Sequence, residues 1–175
     1  MEIVHTAEFD APAGRMRVAS SDRGLVYVAL PRQSGRGFEG WLRRHAPDAQ
    51  CHEAWAPNRD AVTQICEFLE GKRRAFDLEL DLRATSFQQE VYDALLAIPY
   101  GETRSYADVA RQVGRPRAVR AVGSANGSNP LPLVVPCHRV VQSGGKLGGY
   151  GGGLPLKKRL LAMEQAAQPA PGDLL

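Results

Sequence analysis

Residues 105–141 read SYADVARQVGRPRAVRAVGSANGSNPLPLVVPCHRVV. Ser105 opens a short helix over residues 106–113, and Gly114-Arg115-Pro116 follows as a tight turn with Pro116 placed to open the next helix. That second helix carries Val119, Ala121, Val122 and Ala125 and ends near Gly127. Two short helices joined by a glycine-containing turn make a helix-turn-helix pattern, and plain helical packing accounts for the same residues equally well. The second helix offers mainly small residues: Ala118, Ala121, Gly123, Ser124, Ala125 and Gly127. A reader of the DNA major groove presents Arg, Asn or Gln to base edges. A small-residue helix instead lets its backbone approach closely, which suits a minor groove or tight packing.

The end of the same stretch, residues 131–141, holds Leu133-Val134-Val135 as an apolar run that Pro136 breaks, followed at once by Cys137, His138 and Arg139. A lone cysteine in apolar surroundings is most often a buried structural thiol. The polar neighbours argue otherwise: a thiol beside His and Arg is expected to have a lowered pKa, and the thiolate is the nucleophile. His138 is placed to accept the proton directly or through a water.

Working outward, Ser86 is expected to cap a helix with Gln89 as its capping-box partner, its apolar face built from Phe87, Val91, Leu95 and Ile98. A final helix covers residues 156–166 and carries Glu164. Towards the N-terminus, residues 3–9, 14–20 and 25–30 read as strands of an antiparallel meander. Residues 31–40 form a polar loop, residues 38–44 a short helix, and a helical pattern from Asn58 through Ala61, Ile65, Phe68 and Leu69 stops at Gly71. Residues 76–82 alternate apolar and acidic side chains, the period of a half-buried strand. The expected class is α+β. An N-terminal sheet-containing domain spans 1–82, a mainly helical C-terminal domain with the helix-turn-helix and an active-site loop spans 83–167, and a flexible tail spans 168–175.

Composition narrows the classes. The chain has 175 residues, 43% apolar and 23% charged, with a formal net charge of +3. That suits a globular protein rather than a disordered one. No apolar run approaches the ~18 residues of a spanning helix, and the first residues lack the order of a signal peptide. A soluble cytoplasmic protein is therefore expected. Arg111, Arg115, Arg117, Arg120 and Arg139, then Lys157, Lys158 and Arg159, suggest a local basic surface in the C-terminal half. Cys51, Cys66 and Cys137 form no C-x-x-C pair, so neither a disulfide framework nor a zinc ribbon is indicated, and no metal is expected. The glycine-rich residues 144–153 lack the order of a phosphate loop.

Pro136-Cys137-His138-Arg139, preceded by Asn129-Pro130 and followed by Gly148-Gly149-Tyr150, resembles the active-site signature of the O6-alkylguanine-DNA alkyltransferases. The resemblance covers about residues 86–165, and the agreement before Ser86 is general. It implies a direct-reversal repair protein that takes the alkyl group of O6-alkylguanine irreversibly onto Cys137, one turnover per molecule, with O4-alkylthymine left open as a second substrate. It implies no cofactor. Its partner would be double-stranded DNA, entered from the minor groove with the alkylated base flipped out, bound by a monomer whose cooperative loading is left open. By the same resemblance His138 relays a proton through water, Glu164 orients it, and Tyr106 donates to guanine N3. Arg120 fills the gap left by the flipped base, with Arg117, Ala121 and Ser124 beside it on the DNA. Val140, Tyr150, Gly151 and Pro132 line the substrate pocket, with Val140 and Cys137 carbonyls accepting the exocyclic amine. Asn129 ties the turn after the second helix to the active-site strand, and Arg139 orders the backbone or touches DNA. This sequence departs from the family at Gly149, where Asn is common, and at Gly151, where some relatives carry Ser; a more open, more mobile pocket wall is expected. The alternatives are a non-catalytic alkylated-DNA sensor of the same fold, a helix-turn-helix regulator and a cysteine hydrolase. The first is disfavoured by the presence of Cys137, the second by the small-residue helix, and the third because nothing signals an oxyanion hole.

Overall fold

A computed structural model describes residues 1–33 and 36–167. Strands β1 (Ile3–Ala11), β2 (Gly14–Ser21) and β3 (Gly24–Ala29) form the expected antiparallel meander. A fourth strand, β4 (Gln50–Glu53), adds parallel to β1, giving the order β3-β2-β1-β4. All four residues of β4 are exposed, so it carries no alternation by which the sequence could announce it. Helix α1 (Gly37–His45) buries Phe38 and Trp41 with Tyr27, Val4, Ala19 and Val26, on one set of sheet residues. Helix α2 (Arg59–Leu69) and the C-terminal half pack with Ala7, Phe9, Met16, Val18, Leu25 and Val28, on another. The four-stranded sheet is thus covered on both faces.

Residues 76–82 are not a strand. They make one isolated bridge, Leu25 with Leu80, secured by Leu25 N–H to Glu79 O and Asp81 N–H to Leu25 O, both 2.9 Å. The alternation was real in burial, since Phe76, Leu78, Leu80 and Leu82 all pack on the core. The ladder ends because Asp81 is drawn aside, accepting from Ser21 Oγ at 2.7 Å and from Arg83 at 2.8 Å. The crossing is close: a Cβ on Gly24 (φ +143°) would stand 2.5 Å from Glu79 O, so that position requires glycine.

Helix α3 (Ser86–Leu96) is capped one residue earlier than the sequence suggests. Thr85 accepts from Gln88 N–H and the Gln88 side chain answers to Thr85 N–H, while Gln89 reaches Asp93 instead. Strand β5 (Arg104–Ser105) leads into α4 (Tyr106–Gln112), where Ser105 and Asp108 form a capping box. Helix α5 (Val119–Gly127) starts after Pro116, which lies in the preceding turn closed by Ala118 N–H to Arg115 O, rather than at the helix start. Tyr92 of α3 donates to Ala125 O at 2.9 Å, fixing α3 against α5. Strand β6 (Val140–Val141) pairs in parallel with β5, Arg104 opposite Val140. This two-residue ladder sets the start of α4 beside the segment that follows Cys137. Helix α6 (Leu154–Ala166) opens two residues before the expected start. Val28 N–H donates to Pro130 O, and one hydrophobic cluster contains residues of both halves. The expected tail, 168–175, lies outside the described residues, as do two residues of the expected 31–40 loop, whose last four positions belong to α1.

Candidate active site

The segment after α5 folds as a tight turn, not as the expected active-site strand. Asn129 is buried and acts as its clamp: its Oδ1 accepts from Leu131 N–H at 2.9 Å and its Nδ2 donates to Val135 O at 2.8 Å. Val135 N–H closes back on Leu131 O. Leu133, at φ 74°, is the one non-glycine in the left-handed region among the described residues. Such a conformation costs on the order of 1–3 kcal/mol and persists only where its surroundings over-determine it; here the Asn129 clamp and the burial of Leu131, Leu133 and Val135 do so. A 3₁₀ turn, Cys137–Arg139, follows and buries all three side chains.

The last of these turns faces α6. Glu164 Oε1 lies 3.0 Å from His138 Nε2 and accepts from Arg139 Nη2 at 2.7 Å, and Arg139 Nε bonds both carboxylate oxygens. Arg139 also donates to Ile98 O and lies over the Tyr100 ring. Arg139 is therefore buried and bonded within the fold, to Glu164 of α6 and to Ile98 just past the end of α3. Burial holds His138 below the ordinary imidazole pKa, against the pull of Glu164. Burial raises the Glu164 carboxyl, but the hydrogen bonds from His138 and Arg139 outweigh it and the net shift is downward. The arrangement is a neutral imidazole held by an ionised carboxylate, with His138 Nδ1 bonded to no protein group.

Cys137 departs from the sequence expectation. Its thiol is pushed up to about 11 by burial, with Asn129 and the charge of Lys157 pulling the other way. Sequence adjacency to His138 and Arg139 does not lower it, because His138 is held neutral and the Arg139 charge is matched by Glu164. Lys157 is a further surprise. Expected on a basic surface, it is fully buried, donating to Val140 O at 2.6 Å and Gly149 O at 3.2 Å. Burial brings its pKa down to about 8. Lys157, Leu160 and Glu164 form the buried stripe of α6 at i, i+3 and i+7. A lysine and a glutamate on the stripe that a leucine marks as core are the signal by which sequence reasoning could have found the lysine.

A cavity of about 350 Å³ opens over Cys137. Of the predicted residues, Tyr106, Asn129, Pro132, Tyr150 and Gly151 line it. Val140 does not: it is buried, and its carbonyl is engaged by Lys157. Leu30 and Gln33, which nothing in the sequence singles out, form the wall from the N-terminal half, and Gly123 and Asn126 that from α5. Asn126 Nδ2 donates to Cys137 O at 3.3 Å. Gly148 (φ +72°) lies against Tyr106, where a Cβ would stand 2.9 Å from the phenol oxygen. Glycine there keeps the loop against the ring.

Arg117, Arg120, Ala121 and Ser124 are all exposed and share one face of α5 and its approach, next to the face that lines the cavity. Ala125, expected among the exposed small residues, is buried. The basic surface is narrower than expected. Arg139 and Lys157 are interior, Arg111 pairs with Asp108, and Arg115 pairs with Glu90 and covers Phe87. Among the described residues no group of three His, Cys, Asp or Glu side chains could hold a metal ion, and no helix is long and apolar enough to cross a membrane.

The profile described as "6-O-methylguanine DNA methyltransferase, DNA binding domain" matches residues 86–166, the half that holds this site. The methylated-DNA–protein-cysteine methyltransferase of Mycobacterium tuberculosis (strain H37Rv) is 43% identical over 168 residues, 96% of each chain. The inducible protein of the same name from Bacillus subtilis is 40% identical over 86% of this chain and 84% of its own. Among solved structures, Mycobacterium tuberculosis OGT in complex with DNA superposes with a TM-score of 0.80 at 42% identity, covering 95% of this chain and 96% of that one. An O6-methylguanine DNA methyltransferase from Methanococcus jannaschii gives 0.63 at 27% identity, covering 94% and 96%. With this identity sustained along nearly its whole length, the chain belongs to the methylated-DNA–protein-cysteine methyltransferase family.

Proposed function

We propose that the protein repairs alkylated DNA directly, moving the alkyl group from O6 of guanine to Cys137. The observation that carries this reading is the placement of Cys137 in a base-sized cavity, with the His138–Glu164 pair next to it in the chain turn and the exposed face of α5 alongside. The Cys137 thiol gives its proton through a water to His138 Nδ1, and Glu164 stabilises the imidazolium that forms. Sγ attacks the alkyl carbon in line; the S–C bond forms as the C–O6 bond breaks. Tyr106 donates towards guanine N3 and offsets the charge developing on the base. Overall the thiol proton ends on guanine, and no cofactor is consumed. The thioether is stable in water, so each molecule reacts once.

The O6 edge of a paired guanine faces the major groove, so a protein entering from the minor groove must flip the base. Arg120 enters the stack in its place, with Arg117, Ala121 and Ser124 against the adjoining backbone. Tyr150 and Gly151 N–H approach O6. The exocyclic amine is read as meeting the Val140 carbonyl, which keeps one lone pair beyond that given to Lys157, while the Cys137 carbonyl already accepts from Asn126 and from Val140 N–H. Asn129 and Arg139 support the turn. The division at residues 82/83, monomeric binding and a cytoplasmic location belong to the same reading.

Incubation with duplex DNA carrying methyl-labelled O6-methylguanine tests it. Stoichiometric label on Cys137 by mass spectrometry is the expected result. Continuous turnover, or DNA binding without transfer by the folded protein, would overturn it, the latter in favour of a sensor.

A further inference from the structure

A second cavity, of about 650 Å³, runs between α1 and the end of α5. It shares Gln33, Gly127 and Asn129 with the Cys137 cavity, so the two meet at one mouth. Its lining includes Arg36, Arg43 and Arg44 and contains no carboxylate. These three arginines are exposed, and among the described residues their side chains make no hydrogen bond or ion pair. Arg15, Arg17, Arg59, Arg104, Arg111 and Arg115 each face Asp or Glu, whereas among the described residues the exposed Arg32, Arg117, Arg120 and Arg159 make no side-chain hydrogen bond or ion pair either. What sets Arg36, Arg43 and Arg44 apart is that they line one groove. Arg43 and Arg44 sit in the last turn of α1, where a cation suits the helix dipole. That explanation fails for Arg36, which occupies the N-cap, where the dipole disfavours positive charge.

We infer that this groove is a second DNA-contacting surface, in which Arg36, Arg43 and Arg44 take phosphates of the strand that carries the alkylated base. The inference rests on the functional reading above. A nucleotide everted into the Cys137 cavity stays tied to its neighbours through its own phosphates, so the strand must leave by the shared mouth. The groove continues from that mouth and offers three uncommitted guanidinium groups with no competing anion. Arginines there hold the strand after the base has left the stack, a task separate from that read for Arg120 on α5. The N-terminal half thereby contributes to binding as well as to the pocket wall.

The test is the salt dependence of affinity for a duplex containing O6-methylguanine, with alkyl transfer by the parent protein measured in parallel. Each phosphate contact contributes about 0.9 to the slope of log K against log salt. The double variant Arg43→Ala/Arg44→Ala is expected to lower the slope by about 1.8 and to weaken binding. The double variant Arg59→Ala/Lys72→Ala, which removes the same charge elsewhere, is expected to leave the slope at the parent value. Arg43→Lys/Arg44→Lys is expected to restore most of the slope. Equal slopes in Arg43→Ala/Arg44→Ala and the parent, or equal losses in both alanine pairs, overturn the inference while transfer by the parent leaves the repair reading standing. A parent that neither binds the duplex nor transfers the alkyl group removes both.

Discussion

Glu164 Oε1 stands 3.0 Å from His138 Nε2, and both side chains are buried. The same oxygen accepts from Arg139, so one carboxylate holds an imidazole and a guanidinium at once. An ionised carboxylate only accepts, so Nε2 carries the ring hydrogen and Nδ1 is left as the basic nitrogen. The pair sets the imidazole tautomer, and Arg139 keeps the carboxylate ionised in a dry site.

Glu164→Ala removes the partner of a buried guanidinium. Breaking such a pair from one side costs on the order of 3–5 kcal/mol, because the remaining charge is left uncompensated. Urea unfolding should show a loss of that size together with slow alkyl transfer. A loss under about 1 kcal/mol would mean that Arg139 finds water or another acceptor.

Stability should fall with acid in two stages. His138 has a folded pKa below its ordinary value, so the unfolded chain binds the extra proton first as pH drops below about 6.5. Glu164 is also depressed, so its contribution, present above the ordinary carboxylate range, is lost as pH falls through that range. Both shifts therefore favour the folded state at neutral pH. Thermal unfolding from pH 8 to 4 checks the sign; a midpoint that rises on acidification through pH 6 would contradict it.

Much of the site could be read in the chain because its chemistry is local. Pro136, Cys137, His138 and Arg139 are consecutive, and the helical pattern around Tyr106 and Arg120 follows from spacing and turn residues. What escaped was set by long-range packing. Lys157 lies in a basic run, Lys157-Lys158-Arg159, that reads as surface, yet the pitch of α6 turns only its first member inward. Gln33 reaches the pocket because β3 and residue 130 are hydrogen bonded, a contact across about a hundred residues. β4 has no buried face, and residues 76–82 have the period of a strand without its partner. The pKa of Cys137 went the other way because burial outweighs the charges that sequence adjacency places beside it.

The free protein should alkylate slowly with small reagents at neutral pH. A thiol at about 11 gains roughly tenfold in thiolate per pH unit below that value. Iodoacetamide labelling of Cys137 should therefore climb steadily from pH 7 to 10. A plateau below pH 9 would show that the thiolate is stabilised in the resting protein.

Arg120→Ala should separate flipping from chemistry. The exposed arginine touches neither Cys137 nor Glu164 in the folded chain, so reaction with free O6-benzylguanine should stay near the parent rate. On duplex DNA the loss of the group that fills the stack should cost about 1.4–2.7 kcal/mol, tenfold to a hundredfold in rate. Equal losses on both substrates would remove the flipping role.

Gly151 lines the Cys137 cavity, and a Cβ placed there would meet no atom within 4 Å. A serine is therefore accommodated without disturbing the fold, and its hydroxymethyl group occupies space that a large alkyl group would use. It also narrows the backbone freedom of a loop already rich in glycine. Gly151→Ser should leave transfer from O6-methylguanine within about threefold of the parent and slow transfer from O6-benzylguanine by about tenfold, a difference of roughly 1.4 kcal/mol in barrier. The ratio of the two single-turnover rates is the measurement. An unchanged ratio would place the benzyl group elsewhere in the cavity, towards Pro132 and Leu30.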